Sequence, residues 1–427
     1  MTTQLDVAAE LAVLYRDLHA NPELSFQELR TASIVAKRLT ALGFETTTGV
    51  GTTGVVGVLR NGDGPTALLR ADMDGLPVAE DTGLEYASTQ RGVDRDGHEV
   101  PVMHACGHDI HVTCLLGAAA ALAQDRTTWV GTLMLVFQPA EELGRGARAM
   151  LDDGLYERFG RPDVVLGQHV APLPAGMLAL RPGPAFAGAD ALRVTLYGEG
   201  AHGSRPEASI DPVVMAAATV MRLQTVVSRE VAGTETAVVT VGAMRAGAKE
   251  NVIPSEAELL LSVRTFDPRV RERVMAAIER IVRAEAAASG ARRDPDVTVL
   301  ESFPVVVNDP ASCVRAQRGF DAAFGPGRVV DPGPVTGSED VGMLATAAGA
   351  PLVFWLLGGA DPAEFAAATN AEDVARIARE LPSNHSPRYA PVIEPTLTMG
   401  VTALVTAART WLSPAAPEPG GTAGSAG

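Results

Sequence analysis

Apolar residues recur at helical spacing near the start of the chain. Residues 5–19 and 25–42 each place apolar side chains on one helix face, and Gly43 follows the second of these helices. Further along, short runs rich in Val and Leu alternate with longer helical patterns; these runs read GVVGVLR, TALLRAD, TLMLVFQ and DVVLGQ. Strands that alternate with helices in this way are typical of a mostly parallel sheet covered by helices. We therefore predict an α/β fold.

The order of elements changes between residues 189 and 301. There the pattern predicts strand, helix, strand, strand, helix and strand, which is the order of a split βαβ, ferredoxin-like α+β unit. The simplest topology is a catalytic domain of residues 1–188 and 302–414, interrupted by an inserted lid of residues 189–301. Residues 415–427 have no apolar periodicity, and we expect them to be disordered.

Composition and charge exclude several classes of protein. The 427 residues are two to three times the usual domain length of roughly 150, so we expect at least two domains. Of these residues 46% are hydrophobic and 20% are charged, a balance typical of a soluble globular protein with a large core. The net charge of −16 argues against nucleic acid as a partner, because nucleic-acid binding depends on clustered cations. The first residues lack the basic start and apolar run of an export signal, and no later segment has roughly 18 uninterrupted apolar residues. We therefore expect a cytoplasmic protein without a membrane partner.

Three predicted strands end in possible metal ligands or acids. These residues are Asp72 and Asp74 after the first strand, Glu141 and Glu142 after the second, and His169 at the end of the third. Because sites in open α/β sheets form at the carboxyl ends of strands, we expect these side chains to converge. The segment MHACGHDIH adds Cys106 and His108 on a loop before an Ala-rich helix. Thiolate, imidazole and carboxylate together suit zinc, and further carboxylates would also accept manganese or cobalt.

Each histidine also has a purely structural interpretation. A lone histidine is more often a hydrogen-bonded structural residue than a ligand, and we interpret His19, His98 and His104 in that way. His111 is expected to face along the first helical turn as a supporting or packing residue. His169 is different, because a Cys-x-His pair and two adjacent glutamates lie near the same strand ends. Adjacent carboxylates allow one to bind metal while the other acts as a base.

A series of motifs occurs in order across nearly the whole chain. They are RADMDGLP, MHACGHDIH, FQPAEE, GQHV, GEGAHGSRPE, NVIP, SVRTFD, GSED and NHSP. Together they resemble the amidohydrolase branch of the dinuclear metallopeptidase family, which includes hippurate hydrolase, plant auxin-conjugate hydrolases, aminoacylase and carboxypeptidase G. The resemblance implies a catalytic domain of zinc-exopeptidase type with an inserted lid and dimerisation domain. It also implies hydrolysis of the amide bond of small N-acyl amino acids.

The resemblance implies roles for particular residues. Two divalent transition-metal ions (Zn, Mn or Co) would be held by Cys106, His108, Glu142, His169 and His385. Glu141 would be the catalytic base, and His202 and Asn251 would contact the substrate from the lid. The lid would form a homodimer, in which His202 could complete the site of the partner.

Two stretches of the chain depart from the family pattern. Other branches have a His-x-Asp metal motif where this chain has Asp72, Met73 and Asp74, so we interpret Asp74 as an acid that orients a ligand. Val341 stands where many members of the branch carry an aromatic residue, which affects the expected shape of the substrate pocket and not the chemistry. Separately, Arg264 follows a β-rich run and could pair with a substrate carboxylate.

The residues alone leave three other functions open. In the first, Cys106 is a covalent nucleophile activated by His108, which would leave the other ligand candidates without roles. In the second, the chain is a non-catalytic metal-binding protein, although the acid Glu141 argues against that function. In the third, the chain is a dipeptidase or aminopeptidase on the same scaffold, and only its substrates would distinguish it.

Overall fold

The computed structural model of the protein describes residues 4–412. Its α-helices are α1 Gln4–His19, α2 Leu29–Ala41, α3 His108–Gln124, α4 Gly146–Asp152, α5 Leu155–Phe159, α6 Pro212–Thr225, α7 Pro268–Ala288, α8 Pro310–Phe324, α9 Val341–Ala348, α10 Ala371–Glu380 and α11 Thr396–Leu412. Its strands are β1 Glu45–Val50, β2 Gly54–Asn61, β3 Thr66–Asp72, β4 Arg91–Val93, β5 Glu99–Pro101, β6 Gly131–Gln138, β7 Val164–Pro174, β8 Leu178–Ala179, β9 Gly183–Phe186, β10 Gly188–Tyr197, β11 Ala201–His202, β12 Ala237–Ala246, β13 Val252–Ile253, β14 Glu256–Thr265, β15 Asp296–Phe303, β16 Val306–Asn308, β17 Val329–Val330 and β18 Leu352–Ala360. The disorder predicted for residues 415–427 lies outside the described residues.

The described chain forms two compact units. Unit 1 comprises residues 4–180, 309–331 and 344–412, and unit 2 comprises residues 181–308 and 332–343. The second segment of unit 2 is tied to the first by hydrogen bonds, such as the one that the Val335 N–H donates to the carbonyl of Ala185 over 2.8 Å. The boundaries predicted for a catalytic and a lid domain stay predictions, because units defined by compactness need not coincide with functional domains.

An eight-stranded sheet runs through unit 1 in the order β1-β2-β6-β3-β7-β18-β8-β17. Its central strands β6, β3, β7 and β18 pair in parallel, whereas β2 pairs antiparallel with β6. Strands β3 and β6 are buried almost throughout. A strand with both faces buried needs apolar residues on both faces, which explains the continuous runs TALLRAD and TLMLVFQ. The predicted α/β fold with a mostly parallel sheet is confirmed.

Helix α3 lies at the centre of the helical layer and packs against α1, α11 and β3. Its glycine and alanine residues let α11 approach closely: a Cβ on Gly117 would lie 2.6 Å from the Val401 side chain. A Cβ on Gly400 of α11 would in turn lie 2.6 Å from the sulfur of Cys114. At these positions α3 and α11 pack without space for a larger side chain between them. Within residues 4–412, no helix combines the length and apolar character that a membrane crossing requires.

The start of helix α2 differs from the prediction. The apolar pattern predicted a helix from residue 25, but α2 begins at Leu29. Phe26 has a φ of +63°, a left-handed conformation that a right-handed helix cannot contain. The preceding residues therefore form a turn, and Glu28 stands at the N-cap position of α2.

Unit 2 contains a four-stranded antiparallel sheet in the order β12-β14-β10-β15. Helices α6 and α7 pack on it, and its core includes Leu192, Leu259 and Val274. Burial alternates along β10 and β14 because one sheet face packs on the helices. This is the ferredoxin-like arrangement that the order of elements predicted, and β12 forms one edge of the sheet.

Candidate metal centre

The strand ends that were predicted to converge do so in unit 1. Asp72 ends β3, Glu141 and Glu142 form a short 3-10 turn after β6, and His169 lies on β7. Strands β6, β3 and β7 are parallel neighbours, so their carboxyl ends lie along one edge of the sheet. Helix α3 begins at His108, which brings the loop of MHACGHDIH to the same edge.

Ligand atoms of different chemistry lie close together at this edge. Cys106, His108 and Glu142 each offer one ligand atom, and these atoms lie within 4.8 Å of one another. The Nε2 atom of His169 is 3.5 Å from the Cys106 sulfur, and Nε2 of His385 is 3.2 Å from Oε2 of Glu142. Two ligands of one zinc ion, each about 2.0 to 2.3 Å from it, are separated by less than about 4.6 Å. The structure thus brings all the predicted ligands into one cluster.

The orientation of the ring nitrogens fits a bound cation. Nδ1 of His108 lies 3.2 Å from the Asp74 carboxylate, so Nε2 faces the cluster. Nδ1 of His169 lies 2.8 Å from the carbonyl oxygen of Val170, which leaves its Nε2 towards the cluster too. His108 Nε2 and Glu142 Oε1 are buried, and neither has a hydrogen-bond partner among residues 4–412. Buried polar atoms without partners are costly, and a metal ion that replaced the proton on His108 would satisfy both.

The charge around the cluster also favours a cation. Burial lowers the pKa of His108, but the neighbouring carboxylates, first of all Asp72, raise it to about 10. Burial, followed by Glu142 and Glu141, raises the pKa of the Cys106 thiol well above its usual value. A reactive cysteine needs cationic surroundings that lower its thiol pKa. The carboxylate-rich surroundings of Cys106 therefore argue against the covalent-nucleophile alternative.

Asp74 holds the acidic turn and one ligand candidate together. Its Oδ1 accepts from the Glu141 N–H at 3.2 Å and lies 3.2 Å from Nδ1 of His108. Its Oδ2 accepts from the Glu142 N–H at 3.1 Å and from the Ser25 hydroxyl at 2.6 Å. Burial raises the pKa of Asp74, but the hydrogen bond with His108 leads the effects that bring it below its usual value. These contacts are the ones expected of an acid that orients a metal-binding histidine.

A second buried network supports β7 beside His169. Asp72 accepts from Arg70 at 2.6 Å and from Nδ1 of His111 at 2.5 Å, and Nε2 of His111 accepts from the Val170 N–H at 2.8 Å. Burial lowers the pKa of His111 more than the neighbouring Asp72 raises it, in agreement with a neutral ring. Both ring nitrogens have partners within unit 1, and through them His111 supports the strand. One of its ring nitrogens also lies within 4.8 Å of ligand atoms of Asp72, His108 and His169. A supporting His111 was expected from the sequence, but Asp72 was not predicted as its partner, although Asp72 ends β3 just two residues before Asp74.

Asn384 is a further residue that the sequence analysis missed. Its Nδ2 donates to the carbonyl of Cys106 and to the carbonyl of Val170, both at 3.1 Å. The next residue, His385, has a φ of +71°, and its N–H donates to the carbonyl of Ala105 at 2.8 Å. Asn384 therefore ties the segment that carries His385 to two other parts of the cluster. The position of Asn384 next to His385 in the NHSP motif could have indicated a role at the site.

Glu141 is buried beside the cluster, with only 4% of its surface exposed. Its Oε2 lies 3.9 Å from Nε2 of His108. The preceding residue, Ala140, has a φ of +49°, which turns the chain sharply after β6. The two glutamates therefore stay at the carboxyl end of the strand.

His202 and Asn251 lie next to each other within unit 2. Strands β11 and β13 pair His202 with Val252, and the Gly203 N–H donates to the carbonyl of Asn251 at 2.8 Å. Nδ1 of the exposed His202 accepts from the N–H of Ser204 at 3.1 Å. The neutral ring must then carry its proton on Nε2, so His202 presents a hydrogen-bond donor.

Arg264 lies on β14 within the same unit. Its Nη1 donates to the carbonyl of Thr336 at 2.6 Å and to the hydroxyl of Ser338 at 2.8 Å. The guanidinium thus joins the two segments of unit 2, and its predicted contact with a substrate carboxylate stays a prediction.

His19 is held between two acids in unit 1. Its Nδ1 lies 2.7 Å from Asp109 and its Nε2 lies 3.0 Å from Glu80. Burial lowers the pKa of His19, but Asp109 and Glu80 raise it to about 10. These contacts support the structural interpretation of this histidine.

Several known proteins share sequence and fold with this chain. The profile of peptidase family M20/M25/M40 matches residues 68–382. The hippurate hydrolase of Campylobacter jejuni is 38% identical over 345 residues, which cover 80% of this chain and 86% of that protein. The N-acetyl-L-cysteine deacetylase of Bacillus subtilis is 35% identical over 340 residues, which cover 78% of this chain and 76% of that protein. The crystal structure of the Bacillus subtilis YXEP protein, a dinuclear metal binding peptidase from the M20 family, matches with a TM-score of 0.75 and 29% identity, covering 96% of this chain and 99% of that chain.

Proposed function

Because the chain belongs to peptidase family M20/M25/M40 and is a metal-dependent amidohydrolase, we propose that it hydrolyses the amide bond of small N-acyl amino acids such as hippurate. The observation that carries this proposal is the convergence of thiol, imidazole and carboxylate ligand atoms beside the buried acid Glu141. Relatives named for hippurate hydrolysis and for N-acetyl-L-cysteine deacetylation support the substrate class. A cytoplasmic location belongs to the same proposal, and cell fractionation would test it.

We propose that the cluster holds two divalent transition-metal ions, Zn, Mn or Co. The ligands are Cys106, His108, Glu142, His169 and His385. When bound, such a pair supplies an activated water and polarises the amide carbonyl. The mixture of one sulfur with nitrogen and oxygen ligands suits zinc, and the carboxylate also suits manganese or cobalt.

Glu141 is the general base in this proposal. It takes a proton from the attacking water and delivers it to the departing amide nitrogen. Its burial keeps the carboxylate in a medium of low dielectric, where electrostatic interactions are strong. The hydrogen bond from its N–H to Asp74 holds the turn on which it sits.

Residues of unit 2 bind the substrate. His202 donates its Nε2–H to the oxygen that becomes negative as the amide carbonyl is attacked, a contact worth about 2.7 to 4 kcal/mol in other enzymes. Asn251 and Arg264 bind the remainder of the substrate. Arg264 pairs with the carboxylate of the substrate.

Two copies of the chain associate through unit 2 in this proposal. Strand β12 forms an edge of the sheet, and edge strands readily pair with another chain. Val238 and Met244 on this strand are 42% and 43% exposed, which gives the edge an apolar surface. A symmetric dimer would cover the same patch on both chains, and His202 of each copy would serve the site of the other.

A substrate panel tests the proposed function. The purified enzyme, supplied with Zn, Mn or Co, is offered benzoyl, acetyl, long-chain acyl and indole-acetyl amino acids beside free dipeptides. The proposal expects a kcat/KM for at least one N-acyl amino acid that clearly exceeds that for every dipeptide. A preference for free dipeptides would instead show a dipeptidase or aminopeptidase on the same scaffold.

A further inference from the structure

Backbone strain is concentrated around one side chain in unit 1. Among residues 4–412, the residues other than glycine with a φ in the left-handed region are Phe26 (+63°), Thr52 (+94°), Ala140 (+49°) and His385 (+71°). A residue with a Cβ adopts this conformation only where its surroundings hold it there. Three of these four residues lie in turns that meet at the carboxylate of Glu28.

The Glu28 carboxylate accepts hydrogen bonds from all three turns. Its Oε1 accepts from the backbone N–H of Phe26 and from that of Ala140, both at 2.9 Å. Its Oε2 accepts from the hydroxyl of Thr53, the residue after Thr52. The side chain is completely buried, so water cannot replace these contacts. One carboxylate therefore joins three segments that are far apart in the sequence.

The helix that carries Glu28 does not require this carboxylate. Glu28 occupies the N-cap position of α2, yet its side chain makes no capping hydrogen bond to that helix. Glu23 does that instead, because its carboxylate accepts from the N–H groups of Arg30 and Thr31, both at 2.8 Å. A buried carboxylate that does not cap its own helix needs another reason to be there.

The contact with Ala140 leads directly to the candidate metal centre. Ala140 immediately precedes Glu141 and Glu142, whose N–H groups both donate to Asp74. Glu28 therefore holds the start of this turn, and Asp74 holds the following two residues. Without Glu28, the buried N–H of Ala140 would lose its acceptor. The carbonyl of Ala140 would keep the hydrogen bond that it accepts from the N–H of Gly146 at 3.1 Å, so the left-handed turn would lose one of the contacts that maintain it.

We propose that Glu28 is a positioning residue for the general base, acting through the backbone N–H of Ala140. The inference rests on the proposed role of Glu141. Glu28 fixes the φ of Ala140, which sets where the carboxylates of Glu141 and Glu142 lie. The property it supplies is a pair of acceptor oxygens, and its charge is not required.

Variants of Glu28 and of Glu23 separate positioning from simple stabilisation. Glu28→Ala removes both acceptor oxygens. Glu28→Gln keeps one oxygen for the two N–H groups, and its amide can donate to the hydroxyl of Thr53. Glu23→Ala is the matched control, because it removes a carboxylate from the same helix start without touching Ala140. Glu28→Met, which keeps the volume and removes the oxygens, replaces Glu28→Ala if that variant does not fold.

Kinetics and metal binding give the first set of results. We expect Glu28→Ala to lower kcat and to weaken metal binding, measured by competition with a chelator, by roughly 10- to 100-fold each, with little change in KM. Glu28→Gln should stay within about threefold of the wild type in both measurements, and the control should lower only Tm. A Glu28→Ala or Glu28→Met enzyme with wild-type kcat and metal affinity would overturn the proposal, as would a Gln variant as impaired as the Ala variant.

Hydrogen exchange gives a result that does not depend on activity. Peptides covering residues 139–146 should exchange faster in Glu28→Ala or Glu28→Met, and not in Glu28→Gln or Glu23→Ala. Unchanged exchange in this segment would overturn the positioning role even if activity fell. If the wild type failed to hydrolyse any N-acyl amino acid, the proposed function would be wrong, but the exchange and metal measurements would still decide the role of Glu28.

Discussion

Replacing Asp74 by asparagine tests the part of the site on which most of the other contacts depend. The Asp74 carboxylate accepts from His108, from Ser25 and from the backbone N–H groups of Glu141 and Glu142. Asparagine has nearly the same shape but only one acceptor oxygen. The substitution therefore removes hydrogen bonds without creating a cavity.

The size of the effect can be worked out from these contacts. If the asparagine oxygen takes the place of Oδ1, the bonds from His108 and Glu141 remain, and the hydroxyl of Ser25 can turn to accept from the new amide. The buried N–H of Glu142 then loses its acceptor, at about 1 to 3 kcal/mol, and the two remaining bonds lose their charge assistance, at about 1 kcal/mol each. Burial, followed by the charge of Asp74, raises the pKa of Glu28 to about 7. The substitution removes the repulsion between these two carboxylates, which offsets part of this loss. We expect a net loss of roughly 3 kcal/mol in the free energy of unfolding.

Urea unfolding of the metal-free protein, followed by tryptophan fluorescence, measures this loss. Trp129, Trp355 and Trp411 all belong to unit 1, so the signal reports on the unit that contains Asp74. Asp125→Asn is the matched control, because Asp125 pairs with Arg409 at the surface and is 44% exposed. It should change the free energy of unfolding by less than about 1 kcal/mol. If Asp74→Asn changed stability no more than this control, Asp74 would not hold the acidic turn as described.

Four further predictions address the metal, the base, a buried histidine and the dimer. Chelation should abolish hydrolysis, and Zn, Mn or Co should restore it. Activity that survives when the metal content is far below one ion per chain would contradict the mechanism. Glu141→Gln should keep its metal content and lose a factor of roughly 10² to 10⁴ in kcat, whereas Glu142→Ala should also lose metal; equal metal loss in both would remove Glu141 as the base. The pKa of His19 is raised from 6.5 to about 10 in the folded protein, so its stabilising contribution is fully present below pH 6.5 and is lost as the pH rises towards 10. Replacing His19 by glutamine should therefore lower Tm most below pH 6.5 and least near pH 10, and a pH-independent difference would refute this linkage. Heterodimers formed from His202→Ala and Glu141→Gln chains should recover up to about half of the wild-type activity, and an inactive heterodimer after verified subunit exchange would exclude a role for His202 in the partner's site.

The local elements of this protein were predictable from its sequence. Alternating apolar runs and helical patterns predicted the sheet of unit 1, and the strand-helix-strand-strand-helix-strand order predicted the sheet of unit 2. Parallel strands bring their carboxyl ends to one edge, so Glu142 and His169 could be predicted to meet before any contact was known. Periodicity predicts the single strands and helices because it reflects which face of an element is buried, and the order of these elements along the chain then predicts the kind of sheet that they form.

The tertiary structure alone showed which partners the polar residues of this site have. His108 and His111 lie on the same helix, and only the contacts of their ring nitrogens distinguish a ligand candidate from a support for β7. The pattern around residue 25 suggested a longer helix α2, whereas the turn at Phe26 frees Glu28 to bind Ala140. A buried polar atom must find its hydrogen-bond partner wherever the fold brings one, and these partners come from segments whose spacing along the chain carries no signal.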